Sequence, residues 1–129
     1  MTPAAAHAAR LLALGAWCAA VWTLSAQSDP ADAVGFSLEL PDWLFHGLEF
    51  LVGGLLARHA AVPLLGPRRG ALAALLFLAA WGVLDEWHQS FVPGRDPSAG
   101  DVVADLVGAC IGVGLHAAAC RSTRYHGVV

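Results

Sequence analysis

Residues able to do chemistry gather in three short stretches of the chain. In the first, Asp42, His46 and Glu49 stand at i, i+4 and i+7, the spacing that puts three side chains on one face of a helix. In the second, Asp85, Glu86, His88 and Gln89 crowd together; Asp85 and Gln89 share a helical stripe, while Glu86 lies about 100° around the axis from Asp85. In the third, Asp101 and Asp105 repeat the i, i+4 spacing, and Arg95 stands between the second stretch and the third. Carboxylates beside a histidine can pass a proton, an arginine can hold a phosphate or a carboxylate, and histidine with carboxylates can ligate a divalent metal.

These polar residues sit in an apolar background. The chain has 129 residues, of which 57% are hydrophobic and 13% charged, with a formal net charge of −3 and a mean hydropathy of +0.61. That is too apolar for an ordinary soluble domain and too charge-poor for a disordered chain. Seven basic residues against ten acidic ones cannot supply a phosphate-neutralising face, so no nucleic-acid partner is expected. Cys18, Cys110 and Cys120 have no paired spacing, which points to neither a disulfide framework nor a zinc knuckle. The length fits a single domain over 1–129.

A bilayer's hydrocarbon core takes about 20 helical residues to cross. Apolar runs of about that length lie at roughly 10–27, 43–62, 70–90 and 101–120. Gln27, Ser28, Asp29 and Pro30 stop the first, Pro63 ends the second, and Pro93-Gly94 is a turn signal after the third. An alternative for the first run is a cleaved signal peptide, because Arg10 precedes it and Ala31-Asp32-Ala33 has the small-x-small form of a cleavage site. A soluble core of this size lacks the polar chain to wrap several all-apolar helices. All the basic residues are arginines: Arg10, Arg58, Arg68, Arg69, Arg121 and Arg124 fall at one side of a four-span arrangement, and only Arg95 falls at the other. The positive-inside rule then places both termini in the cytoplasm. The acids, among them Asp29, Asp32 and Glu39, lie in the outer links or the outer portions of the spans. The expected fold is therefore all-α, an integral membrane bundle of four transmembrane helices with N and C termini cytoplasmic, in a multi-pass protein of the cell membrane.

In such a bundle Glu49 lies about 10 Å along its helix from Asp42, and Asp85 follows about 21 Å of apolar rise from Ala71. A carboxylate at that depth costs several kcal/mol unless it is paired, hydrated or protonated, so these groups must look inward. Ser98-Ala99-Gly100-Asp101 also reads as a helix start with a carboxylate at the positive end of the dipole, which leaves Asp105, one turn deeper, unexplained. Gly108 and Gly112 form a small-xxx-small seam, and Gly53-Gly54 offers a second smooth face. His7, His59, His116 and His126 read as interfacial or packing residues.

The stretch from Asp85-Glu86-Trp87-His88-Gln89 through Pro93-Gly94-Arg95 to Asp101 resembles the signature of the VanZ-like membrane proteins, and Asp42-x-x-x-His46-x-x-Glu49-Phe50 resembles that family's second-helix pattern. Asp105 stands where the family often has asparagine, and Glu49 near a position where tyrosine is frequent. The resemblance implies a membrane protein of the kind associated with low-level resistance to teicoplanin and related lipoglycopeptides, which names a phenotype and no reaction.

The residues themselves leave three readings. In one, Arg95 is pinned by Glu86 and Asp101 in a clasp that closes the outer end of a non-catalytic scaffold. In another, the cluster is a site for an envelope lipid or a peptidoglycan precursor. Arg95, Gln89, His46, Glu49, Asp42 and Asp105 then bind it, while Glu86, His88, Asp85 and Asp101 move a proton or tune the group that does. In the third, a metal-dependent membrane hydrolase, His46 and Glu49 join carboxylates of the later helices around a divalent ion, although His46-x-x-Glu49 reverses the order used in bundle metal sites. No resident metal or cofactor is assigned. The expected partner is a membrane lipid or lipid-linked cell-wall precursor. No nucleophile elbow, phosphate-binding glycine loop or His-Glu-x-x-His pattern occurs.

Overall fold

The computed structural model describes residues 1–28 and 41–126, with side chains as far as residue 122. Asp29, Asp32, Glu39, the Ala31-Asp32-Ala33 sequence and the side chain of Arg124 lie outside the described residues. Three helical elements follow one another: α1 (Pro3–Ser25), α2 (Asp42–Gln89) and α3 (Ala99–His126). No strand occurs among the described residues.

The Thr2 side chain caps α1 by accepting from the Ala5 amide at 3.2 Å, and Pro3 takes the first helical position, where its missing N–H has no partner to lose. The 48 residues of α2 would stretch about 72 Å if straight, more than twice a bilayer core. They do not run straight. Gly66 has φ 76° and ψ 172°, a backbone region open essentially to glycine, and it stands between Pro63 and Pro67. Pro67 has no amide hydrogen to give and its ring pushes the preceding residue out of the helical region, so the chain turns at Gly66. Beyond the turn it doubles back: a Cβ on Gly70 would lie 2.9 Å from the Val62 Cα. His46 and Glu86, about 60 Å apart on a straight helix, come within 4.0 Å of each other. α2 is thus a leading arm (42–65) and a returning arm (67–89). The second and third apolar runs of the sequence correspond to these arms, with helix continuing through Pro63 up to the turn.

By length and composition α1, α2 and the 99–122 part of α3 are each able to cross a membrane. Leu12, Val52, Leu76, Val83 and Ile111 face outward, as lipid-facing residues do and as soluble surfaces rarely allow over so many positions. Inside, α3 packs along α2, and α1 lies against α2. The α2–α3 contact is backbone against backbone. A Cβ on Gly108 would run into the Gly47 carbonyl, one on Gly112 into the Leu51 carbonyl, and one on Gly54 would lie 2.5 Å from the Ala109 carbonyl. The small-residue seam therefore packs, as its spacing indicated. α1 is fastened by Trp17: its ring covers Gly53, its Nε1 donates to the Glu49 carbonyl at 3.1 Å, and it meets Phe50 edge-on with centroids 5.4 Å apart.

Candidate functional site

Because α2 doubles back, its first and last turns are neighbours, and the start of α3 lies beside both. His46 comes from the leading arm, Asp85, Glu86 and Gln89 from the end of the returning arm, and Asp101 and Asp105 from the opening turns of α3. His46 is the hub. Its Nδ1 stands 3.1 Å from Asp105 Oδ1, and its Nε2 faces Glu86 Oε1 at 4.0 Å. The relative exposure of His46, Asp85 and Asp105 is 2%, 2% and 1%, so this contact is sealed from the surroundings. Gly82 makes room for Asp105, since a Cβ there would sit 2.8 Å from Asp105 Oδ2.

Around the hub two of the acids, Asp85 and Glu86, are each held on one oxygen by a neutral donor. Gln89 Nε2 donates to Asp85 Oδ2 at 2.7 Å, and the Ser98 amide donates to Glu86 Oε2 at 2.8 Å. The other oxygens, Asp85 Oδ1 and Glu86 Oε1, together with Asp105 Oδ2, are buried without a hydrogen-bond partner. Arg95 completes a row by donating from Nε and Nη2 to Gln89 Oε1 at 3.2 and 2.8 Å. Beside it lies a polar cleft walled by Ser25, Phe45, His46, Glu49, Asp85, Gln89 and Arg95. About 10 Å³ of it is open to the centre of a water molecule, roughly the room one water takes.

The structure brings together most of the residues singled out by sequence, with corrections. The Arg95 clasp on Glu86 and Asp101, one of the three readings, is not made: among the described residues Arg95 forms no ion pair within 4.0 Å, and its partner is the amide oxygen of Gln89. Glu86 is engaged by the Ser98 amide and faces His46. His88 turns away from the cluster. It stacks on Trp22 with centroids 3.9 Å apart and bonds the Ser25 hydroxyl through Nδ1 at 3.0 Å, so α1 holds it. Helix arithmetic carries that signal, because His88 lies about 160° around the axis from Glu86. Asp42 is exposed at the rim, within reach of His46 and Asp101 as a possible ligand set. Asp101 sits buried in the first turn of α3, while the capping is done by Ser98, whose Oγ accepts from the Gly100 and Asp101 amides at 3.0 and 3.3 Å.

A second polar row lies at the far end of the arms; its histidines read from sequence as interfacial or packing residues, and nothing in their spacing tied them together. Arg58 Nη1 reaches His116 Nδ1 at 2.7 Å, His116 Nε2 meets His59 Nδ1 at 3.2 Å, and Arg10 Nε reaches His59 Nε2 at 3.2 Å. His59 and His116 thus link all three helices.

A small all-helical chain with span-capable helices, an apolar exterior and ionisable groups drawn inward at one end has the construction of a membrane protein. Residues 11–120 match the VanZ/LLP1 family, and the chain belongs to that family. Comparison with curated proteins and with solved structures finds no match.

Proposed function

We propose that the chain is a four-pass protein of the cell membrane, with both termini cytoplasmic. At its outer face it binds the anionic headgroup of an envelope lipid or lipid-linked cell-wall precursor, and this lowers susceptibility to lipoglycopeptides such as teicoplanin. Each arm of α2 supplies one crossing in this reading, which gives the arginines their one-sided distribution. The observation that carries headgroup binding is Arg95. Its guanidinium lines the cleft and is held in place by a neutral amide oxygen, leaving N–H groups free of any carboxylate among the described residues. A guanidinium so presented suits the paired oxygens of a phosphate or carboxylate. The cleft is too narrow to admit a headgroup, so the lipid rests at its mouth, with the Glu86–His46–Asp105 row behind it available to move a proton.

The bonds from Ser98 to Glu86 and from His46 to Asp105 tie three segments together, which favours a rival reading as a scaffold. Binding of the purified chain to phosphatidylglycerol vesicles, with phosphatidylcholine vesicles as reference, separates the two. The headgroup reading expects Arg95→Ala and Arg95→Lys to stay folded in detergent and to lose the preference for the anionic lipid. Variants that unfold in proportion to the binding they lose would establish the scaffold instead. Reporters fused after Gly66 and after Ser98 test the topology, with the first expected inside the cell and the second outside.

A further inference from the structure

We propose that the buried cluster binds one first-row divalent metal ion, Zn²⁺ or Mn²⁺, with His46 Nε2, Asp85 and Glu86 as its ligands. The proposal stands on the cluster alone and does not depend on the headgroup reading. One donor atom from each of the three residues lies within 4.8 Å of the other two, and all three side chains are buried. Nε2 of His46 and Oε1 of Glu86 face each other at 4.0 Å, within the span of two bonds of about 2.0–2.2 Å from histidine and carboxylate to zinc.

The surroundings have the form that ligating side chains take. A metal-bound histidine donates its other ring N–H to a carboxylate, which fixes the ring and its tautomer. Here Nδ1 is taken by Asp105, so Nε2 is the nitrogen aimed at the acids. Ligating carboxylates are themselves oriented by hydrogen bonds. Asp85 and Glu86 are each gripped on one oxygen, by Gln89 and by the Ser98 amide, and each presents the other oxygen buried and unpartnered. Buried acids are costly without a compensating charge; the guanidinium that lines this cleft is engaged with Gln89, so the His46 ring, or an ion bound to it, is what can offset them. A mixed imidazole and carboxylate set suits zinc or manganese better than calcium or magnesium, which take all-oxygen sites. The metal alternative drawn from sequence used Glu49; the structure places Glu49 on the cleft wall and brings Asp85 and Glu86 to the ring instead.

The test uses the full chain in detergent, stripped with chelator and titrated with ZnCl₂ and MnCl₂ by calorimetry, with metal content read by mass spectrometry. One ion per chain is expected. Asp85→Asn and Glu86→Gln should each weaken binding by about 100-fold, and Asp105→Asn by about 10- to 100-fold through the histidine it orients. Asp42→Asn and the pair His59→Ala with His116→Ala should leave the affinity unchanged. Gel filtration and circular dichroism report folding; if Glu86→Gln unfolds because Ser98 loses its acceptor, Asp85→Asn decides. The proposal fails if no ion is taken up at one per chain, if binding survives both Asp85→Asn and Glu86→Gln, if it follows Asp42 or the far-end histidines, or if Mg²⁺ or Ca²⁺ binds more tightly.

Discussion

Replacing Gly108 by alanine tests the packing that brings the polar residues together. The added methyl has nowhere to go. It would overlap the Gly47 carbonyl and lie 3.0 Å from the Leu51 amide nitrogen, and both belong to the backbone of the leading arm, which cannot rotate aside as a side chain would. Relief therefore requires α3 and the arm to move apart. A gap of about 0.5–1 Å already forfeits a quarter to a half of each dispersion contact along the seam, and overpacking a tight core costs about 1–3 kcal/mol. We expect Gly108→Ala to fall at the upper end, about 3 kcal/mol, since the methyl meets main chain. Two controls isolate the cause: Gly114 and Gly15 have no heavy atom within 4 Å of an added Cβ. Alanine at either, by helix propensity alone, should be neutral or stabilising by up to about 1 kcal/mol. Thermal unfolding of the three variants in one detergent, followed by circular dichroism, gives the comparison. A Gly108→Ala protein as stable as Gly114→Ala would refute the close approach.

Other expectations follow from single contacts. Gly66→Ala forces a Cβ into a backbone region that side chains avoid, with nothing else nearby, and should destabilise by about 1–3 kcal/mol in the same melting assay. Trp17→Phe removes the Nε1 bond to the Glu49 carbonyl and withdraws part of the ring that covers Gly53; a loss of about 1–3 kcal/mol is expected. Gly82→Ala puts a methyl 2.8 Å from Asp105 Oδ2, which should turn that carboxylate off His46 and weaken the zinc affinity of the stripped protein. A double-mutant cycle on His46→Ala and Asp105→Asn should show coupling of about 0.5–3 kcal/mol in stability, and additivity would mean the two side chains do not interact.

Much of the fold was readable because apolar run length and punctuation are local. The runs near 43–62 and 70–90 became the two arms, and Pro63 marked the end of the first, though Gly66 and Pro67, where the chain turns, were not singled out. Sequence did not show that helix would carry on through Pro63, because the turn is completed at Gly66, where glycine alone accepts the backbone angles. At the site, i, i+4 spacing placed Asp42 with His46 and Asp101 with Asp105, yet it could not say which acid would meet the ring. That depends on how the arms and α3 pack, and Gly82 and Gly108 set this through the space they leave. The clasp reading of Arg95, one of the three left open by sequence, fails for a related reason. Charge alone favours an acid, but the turn after Gln89 delivers the guanidinium to an amide oxygen six positions earlier.

The far-end row carries an arithmetic constraint of its own. A neutral imidazole has one N–H and one lone pair. Arg58 and Arg10 are permanent donors pointing inward from opposite ends, at His116 Nδ1 and His59 Nε2, and the link between the two rings needs a hydrogen as well. To make all three bonds at once, one imidazole would have to lose its single N–H, so one link must always stay open. The buried Arg58 contact, at 2.7 Å, is the costliest to break. The open link therefore falls at one of the two exposed 3.2 Å contacts, His59–His116 or Arg10–His59, where two hydrogens turn toward each other and an acceptor from water or a neighbouring lipid can enter.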